Sequence, residues 1–251
     1  MKAVLYVAHG SRVEEGNQQA ISFLKEVQKE IQVPIQEICF LELVEPTVEQ
    51  GMTNCILKGA TEIAIVPILL LTAKHAKKDI PLKIERGKQQ YPKVKFSYGR
   101  PLGIDHRLIQ TIYKRIVESN IPITNKSEVL LIGRGSSDPA TWRDFLEIAT
   151  QLKLKFGIRK VEIAFLYGKG PQFDTYLQIL KERQSEQLFI VPYLLFQGKL
   201  RQGIDRKLNE TKIPQNVIIC NSLGYDECVK EVVVDRVREV LNPFQLKEVV
   251  I

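Results

Sequence analysis

A chain of 251 residues suits one large domain or two compact ones of about 125 residues. With 44% hydrophobic and 26% charged residues it can bury a sizeable core, which excludes intrinsic disorder. The net charge of +7 is spread as +4 over 1–125 and +3 over 126–251. That distribution argues against a nucleic-acid protein with one dense basic patch and suits an enzyme for an acidic substrate.

In chain order, the first element is a strand over 3–8, ending in the polar turn His9-Gly10-Ser11-Arg12. No signal peptide is expected there, because Met1–Ala8 lacks a long apolar run. Apolar residues at Ala20, Ile21, Phe23, Leu24, Val27 and Ile31 recur at three and four and predict a helix. Strands follow at 35–41, 62–71 and 94–98. Pro46-Thr47 puts proline at a helix start, where its missing N–H costs nothing. Asp105 is suited to cap the last helix of this half, with His106 in the first turn. The longest apolar stretch, Ile63–Leu71, fits a buried strand and is too short for a membrane span.

After a Pro/Asn/Ser-containing link near Ile121–Ser127 the same order returns. Strands are expected at 128–133, 160–166, 187–196 and 216–221, with Pro139-Ala140 at a helix start. These short Val/Ile/Leu-rich runs alternate little, as in parallel strands covered on both faces. The four cysteines, Cys39, Cys55, Cys220 and Cys228, form neither a C-x-x-C pair nor a zinc motif. They read as reduced core residues of a cytoplasmic protein.

The halves are a repeat. Val4–Ser11 aligns with Val129–Ser136 at an offset of 125, as do Phe40-Leu41-Glu42 with Phe165-Leu166-Tyr167, and Val66–Leu70 with Val191–Leu195. Leu102-Gly103-Ile104-Asp105 matches Leu223-Gly224-Tyr225-Asp226 at 121. The fold class is therefore α/β: two similar doubly wound parallel-sheet domains, 1–125 and 126–251, related by internal duplication.

Ligands of open α/β sheets bind beyond the carboxyl ends of the strands. In the first half those ends carry His9, Glu42 and His75. Two histidines and a carboxylate suit Fe(II), Co(II), Ni(II) or Zn(II). Singly, each has a plainer reading. His9 can bond loop backbone, Glu42 can sit on the surface, and His75 can belong to a solvated helix start with Lys74, Lys77 and Lys78. The second half has Arg134, Tyr167 and Leu200 at the aligned positions, so one site per chain is expected. Arg134 can pair with carboxylates through its planar fork, or serve as a structural ion-pair partner. His106 reads as structural or substrate-facing. Gly133-Arg134-Gly135 is too short a signal for a dinucleotide fingerprint, and there is no P-loop.

Three blocks carry a family resemblance: Val7–Arg12, Phe40–Thr47 and Val66–Pro81, together with Ile132–Pro139 in the second half. They resemble the class II chelatases, nearest to the bacillus-type sirohydrochlorin ferrochelatases of siroheme synthesis. The resemblance spans essentially the whole chain. It implies that His9 and His75 bind the incoming metal and act in metallation, with Glu42 as third ligand or proton acceptor. It implies a tetrapyrrole in a cleft between the halves, with Ser11, Arg12, Arg134 and Ser136 at the substrate. The carboxylate-rich sirohydrochlorin agrees with the positive charge. Fe²⁺ would be a metal substrate, with no prosthetic group, and the alternative is the Co²⁺ enzyme of cobalamin synthesis. Long cobalt relatives often carry a His-rich tract and a cysteine cluster, which Asn242–Ile251 lacks; that leans toward iron. Sirohydrochlorin and a divalent metal are the partners expected, with no nucleic acid, no membrane, and a monomer with pseudo-twofold domains. A metal-storage protein would bind metal without a tetrapyrrole. A periplasmic-type binding module would want a leader, a hinge and no metal ligands.

Overall fold

A computed structural model describes residues 1–182, 187–211, 216–224 and 226–242. Tyr225 of the repeat and the stretch beyond Asn242 lie outside them. Strands β1 (Lys2–Ala8), β2 (Ile35–Phe40), β3 (Glu62–Pro67) and β4 (Lys95–Tyr98) form one parallel sheet in the order β2-β1-β3-β4. Strands β5 (Ser127–Gly133), β6 (Lys160–Phe165), β7 (Gln187–Pro192) and β8 (Val217–Ile219) repeat it as β6-β5-β7-β8. Helices α1 (Glu14–Lys29), α2 (Val48–Leu57), α3 (Ile80–Gln90) and α4 (His106–Val117) alternate with the first four strands. Helices α5 (Pro139–Phe156), α6 (Phe173–Glu182), α7 (Lys199–Glu210) and α8 (Glu227–Leu241) alternate with the rest. The expected α/β class and duplication are both present. No described helix is long and apolar enough to cross a membrane.

Burial explains the sequence pattern. In β1 every residue from Ala3 to Ala8 is buried, because helices cover both faces of a parallel sheet. Ala3, Leu5 and Val7 join a core with Val48, Met52 and Cys55 of α2 and Ile80 and Ile84 of α3. In the second sheet Leu130 and Ile132 meet Phe173 and Leu177 of α6 and Ile204 and Leu208 of α7. Cys39, Cys55 and Cys220 are buried free thiols, and burial pushes Cys55 and Cys220 up to about 12. Cys228 is only half-buried.

Two expectations need correcting locally. Strands β3 and β7 stop at Pro67 and Pro192, short of 71 and 196. The chain beyond turns so that Leu69 and Leu70 carbonyls accept from Leu102 and Gly103, and Leu194 and Leu195 from Leu223 and Gly224. Pro46 does not open α2. Thr47 is the N-cap, its hydroxyl accepting from Gln50 N while Gln50 Oε1 accepts from Thr47 N. Pro139 does open α5, behind the Asp138 cap, and Asp105 caps α4.

The larger difference is in the division of the chain. The duplication has its link near residue 125, but the compact units are 1–103 with 230–251, and 104–229. Helix α4 belongs with the second sheet, where it packs on α5 and β7; Tyr113 stacks on Phe156 with centroids 3.9 Å apart. Its Arg115 donates to the Leu223 carbonyl at 2.8 and 3.1 Å. Helix α8 belongs with the first sheet, and its buried Arg236 donates to the Leu102 carbonyl at 2.6 Å and to Pro101 O at 3.2 Å. Arg115 and Arg236 are related by the same 121-residue offset as Leu102 and Leu223. Each half has given its last helix to the other half's sheet, and equivalent arginines fasten both.

Candidate metal centre

The first unit places its ligand candidates on three successive strand-to-helix connections. His9 follows β1. The Glu42 amide donates to His9 O at 3.2 Å, just after Leu41 N donates to Ala8 O at 2.8 Å, so the two loops run side by side. The approach is tight enough to exclude a side chain at Gly10. That residue has φ +91°, and a Cβ there would lie 2.0 Å from the Glu42 carbonyl oxygen. Leu43 next to Glu42 is left-handed at φ 71°, a conformation costing a branched residue about 1–2 kcal/mol. The repeat places Gly168, φ 82°, at that position.

His75 opens a single π-helical turn, His75–Asp79, that leads into α3. His9 Nε2 lies 3.4 Å from Glu42 Oε1, and the His9 and His75 ring centroids are 5.0 Å apart. Donor atoms of His9, Glu42 and His75 all lie within 4.8 Å of one another, the set that could hold a metal ion among the described residues. Bonds of about 2.0–2.2 Å to one ion leave ligand atoms about 3–4 Å apart, so small side-chain rotations close the set. All three side chains are partly exposed, from 21% for His75 to 44% for Glu42. Two imidazoles and a carboxylate are donors suited to a divalent first-row metal.

A residue not anticipated from the sequence completes the arrangement. Asp79 Oδ2 sits 2.7 Å from His75 Nδ1, four residues along the same turn. Its only trace in the sequence is the spacing His75-x-x-x-Asp79, which becomes meaningful once a helical turn starts at His75. A cavity of about 270 Å³ adjoins the cluster, lined by Leu41, Glu42, His75, Asp79, Leu82, Lys83 and Arg86. On its wall Lys83 holds both Glu49 oxygens at 2.9 Å. Burial acts to raise the Glu49 pKa, but this ion pair and nearby Arg86 outweigh it and hold the carboxyl below its usual range. Lys74, Lys77 and Lys78 are exposed around the turn.

The remaining candidates are distributed as follows. Ser11 Oγ accepts from Val13 N at 3.0 Å, and Ser136 Oγ from Asp138 N at 3.0 Å, so both hydroxyls brace equivalent turns. Each keeps its own proton to donate. Arg12 and Arg134 are exposed. In the second unit Arg134 and Tyr167 occupy the loops equivalent to those of His9 and Glu42, with Tyr167 N donating to Arg134 O at 3.0 Å. Leu200 packs against the apolar core of that unit. His106 is 73% exposed at the start of α4 and is outside the ligand cluster.

One of the two doubly wound sheets thus bears a His–Glu–His cluster at its carboxyl edge. The sirohydrochlorin ferrochelatase of Priestia megaterium is 46% identical over 243 residues, 96% of this chain and 91% of that one. A sirohydrochlorin cobaltochelatase of the same organism is 34% identical over 229 residues, 90% of this chain and 74% of that one. The structure of SirB from Bacillus subtilis with Fe³⁺ superimposes with a TM-score of 0.88 at 44% identity, covering 96% of each chain. The CbiX family model matches residues 3–119 and again 128–240, and the chain belongs to the CbiX family.

Proposed function

We propose that this protein is a sirohydrochlorin ferrochelatase: it inserts Fe²⁺ into sirohydrochlorin to give siroheme. The observation that carries the reading is the meeting of His9, Glu42 and His75 at one strand edge, in a chain 46% identical to a ferrochelatase of that name. Iron enters as substrate, and the ring nitrogens lose two protons as it binds. Neutral imidazole can serve both as a labile ligand and as a base near neutral pH. His9 and His75 take those roles, and Glu42 is third ligand or proton acceptor. Three protein ligands leave positions free for the ring nitrogens to replace them in turn.

Arg12 and Arg134 suit the carboxylates of the substrate, because a guanidinium fork pairs with a carboxylate through two hydrogen bonds. Ser11 and Ser136 supply the hydroxyl donors left over from their turns. The two halves of the sequence, 1–125 and 126–251, are the units of duplication, of which only the first kept metal ligands. The enzyme works as a cytoplasmic, monomeric lyase, without a membrane or nucleic-acid partner.

Anaerobic incubation of the pure protein with sirohydrochlorin and Fe²⁺, followed by absorption, tests the reading. The metallated spectrum should grow in at a rate proportional to enzyme. A rate no faster than the uncatalysed one with iron would overturn it, and a rate seen with Co²⁺ alone would transfer the assignment to the cobalt enzyme.

A further inference from the structure

We infer that the π turn at His75–Asp79 is a built positioning device, in which Asp79 fixes the tautomer and direction of His75. This rests on the metal-site reading above. Three observations carry it. First, Asp79 Oδ2 is 2.7 Å from His75 Nδ1. A carboxylate there accepts a hydrogen bond from Nδ1–H and leaves Nε2 as the nitrogen free for metal, the usual outer-sphere arrangement of a ligating histidine.

Second, the turn is supported from outside. The Ile80 amide donates back to His75 O, five residues earlier, which leaves the Ala76 carbonyl without its α-helical partner. The Tyr98 hydroxyl at the end of β4 donates to that carbonyl at 3.0 Å. Burial pushes the Tyr98 phenol well above its ordinary value, so it remains a donor.

Third, the repeat is a control. Core residues Ile80 and Ile84 of α3 correspond to Ile204 and Leu208 of α7 at an offset of 124, whereas Pro67 and Pro192 are 125 apart. The first unit therefore has one more residue between its third strand and its core-facing helix, and a π turn accommodates one residue without shifting the helix behind it. In the second unit α7 runs as a plain α-helix from Lys199. Ile219, paired with Ile190 as Tyr98 is with Ile65, has no hydroxyl. The inserted residue, the phenol and the carboxylate are found in the unit with the histidine and are missing together from the one without it.

The test is Co²⁺ titration of the whole protein, read from the cobalt absorption bands, beside steady-state insertion. Asp79→Ala should weaken Co²⁺ binding about 10–100-fold and raise KM for metal in parallel, with KM for sirohydrochlorin unchanged. Asp79→Asn should lose less, since its amide oxygen still accepts from Nδ1–H; it decides the matter if the alanine variant does not fold. Tyr98→Phe should weaken Co²⁺ binding several-fold. Co²⁺ affinities within twofold of wild type in both Asp79 variants would overturn the inference and leave the ferrochelatase reading standing. A wild-type protein that binds no Co²⁺ would overturn the inference as well, and the ferrochelatase reading would then stand or fall by Fe²⁺ insertion.

Discussion

The two units share a scaffold and differ in what stands at its carboxyl edge. Their strand order, loop hydrogen bonds and even their close-approach glycines coincide. Where one has His9, Glu42, His75 and a π turn, the other has Arg134, Tyr167, Leu200 and a regular helix. The difference teaches that the fold supplies the meeting place and does not by itself demand a metal. The candidate ligands come with an additional layer, one residue of helix insertion and two supporting side chains, that the other unit lacks.

The sharpest way to break that comparison is to exchange residues across it. His9→Arg, which installs the second unit's residue in the first, should lower metal insertion by about 10²–10⁴-fold, the range for losing a group that handles protons in the reaction. The reverse exchange, Arg134→His with Tyr167→Glu and Leu200→His, should create no second site. Leu200 packs on an apolar core and lies in a helix lacking the inserted residue. Co²⁺ titration should still saturate at one ion per chain, and two ions per chain would show that ligand identity alone makes the site.

A milder exchange addresses the loops. Gly10→Ala and Gly135→Ala should each destabilise by about 1–3 kcal/mol in chemical denaturation. Their Cβ atoms would lie 2.0 and 1.9 Å from the carbonyls of Glu42 and Tyr167. Only Gly10→Ala should also weaken Co²⁺ binding, because only its neighbouring loop carries a candidate ligand. Equal effects on Co²⁺ would mean the loops transmit strain well beyond their own unit.

The smallest effect concerns the paired helix caps, Asp105 and Asp226. Burial acts to raise the Asp226 pKa, but Lys114, the Cys228 N–H and Arg115 outweigh it and hold the carboxyl below its usual range. A depressed folded value adds stability that is full above the unfolded pKa of about 3.9 and is lost as pH falls through the folded value. Asp226→Asn should therefore be less stable than wild type by about 1–2 kcal/mol at pH 7. The gap should shrink below pH of about 4. A gap that persists unchanged in acid would assign the loss to packing.

Much of the fold could be read in the sequence because its signals are local. Buried parallel strands are continuous apolar runs, and duplication wrote each signal twice. The candidate cluster could be read from the strand ends, since His9, Glu42 and His75 each fall just past one and their donor atoms meet. Asp79 escapes the sequence because a helix start at His75 puts Lys78 as well as Asp79 within one turn of the imidazole, and only the geometry of the turn selects the carboxylate. The helix exchange escaped for a different reason. Nothing in the apolar face of α4 says which sheet it covers, and the change of offset from 125 to 121 is no guide, because it is already present at Tyr98 of β4 and Ile219 of β8, strands that stay in their own sheets.

That exchange has a consequence for how the chain is made. The second unit, 104–229, is continuous and has all its parts once residue 229 has emerged from the ribosome. The first unit begins at Met1 yet needs α8, so its opening 103 residues must stand without their last wall while 126 more are translated. At about 5–20 residues per second that is a wait of about 6–25 s. The portion that carries the candidate metal site is begun before the other unit and finished after it.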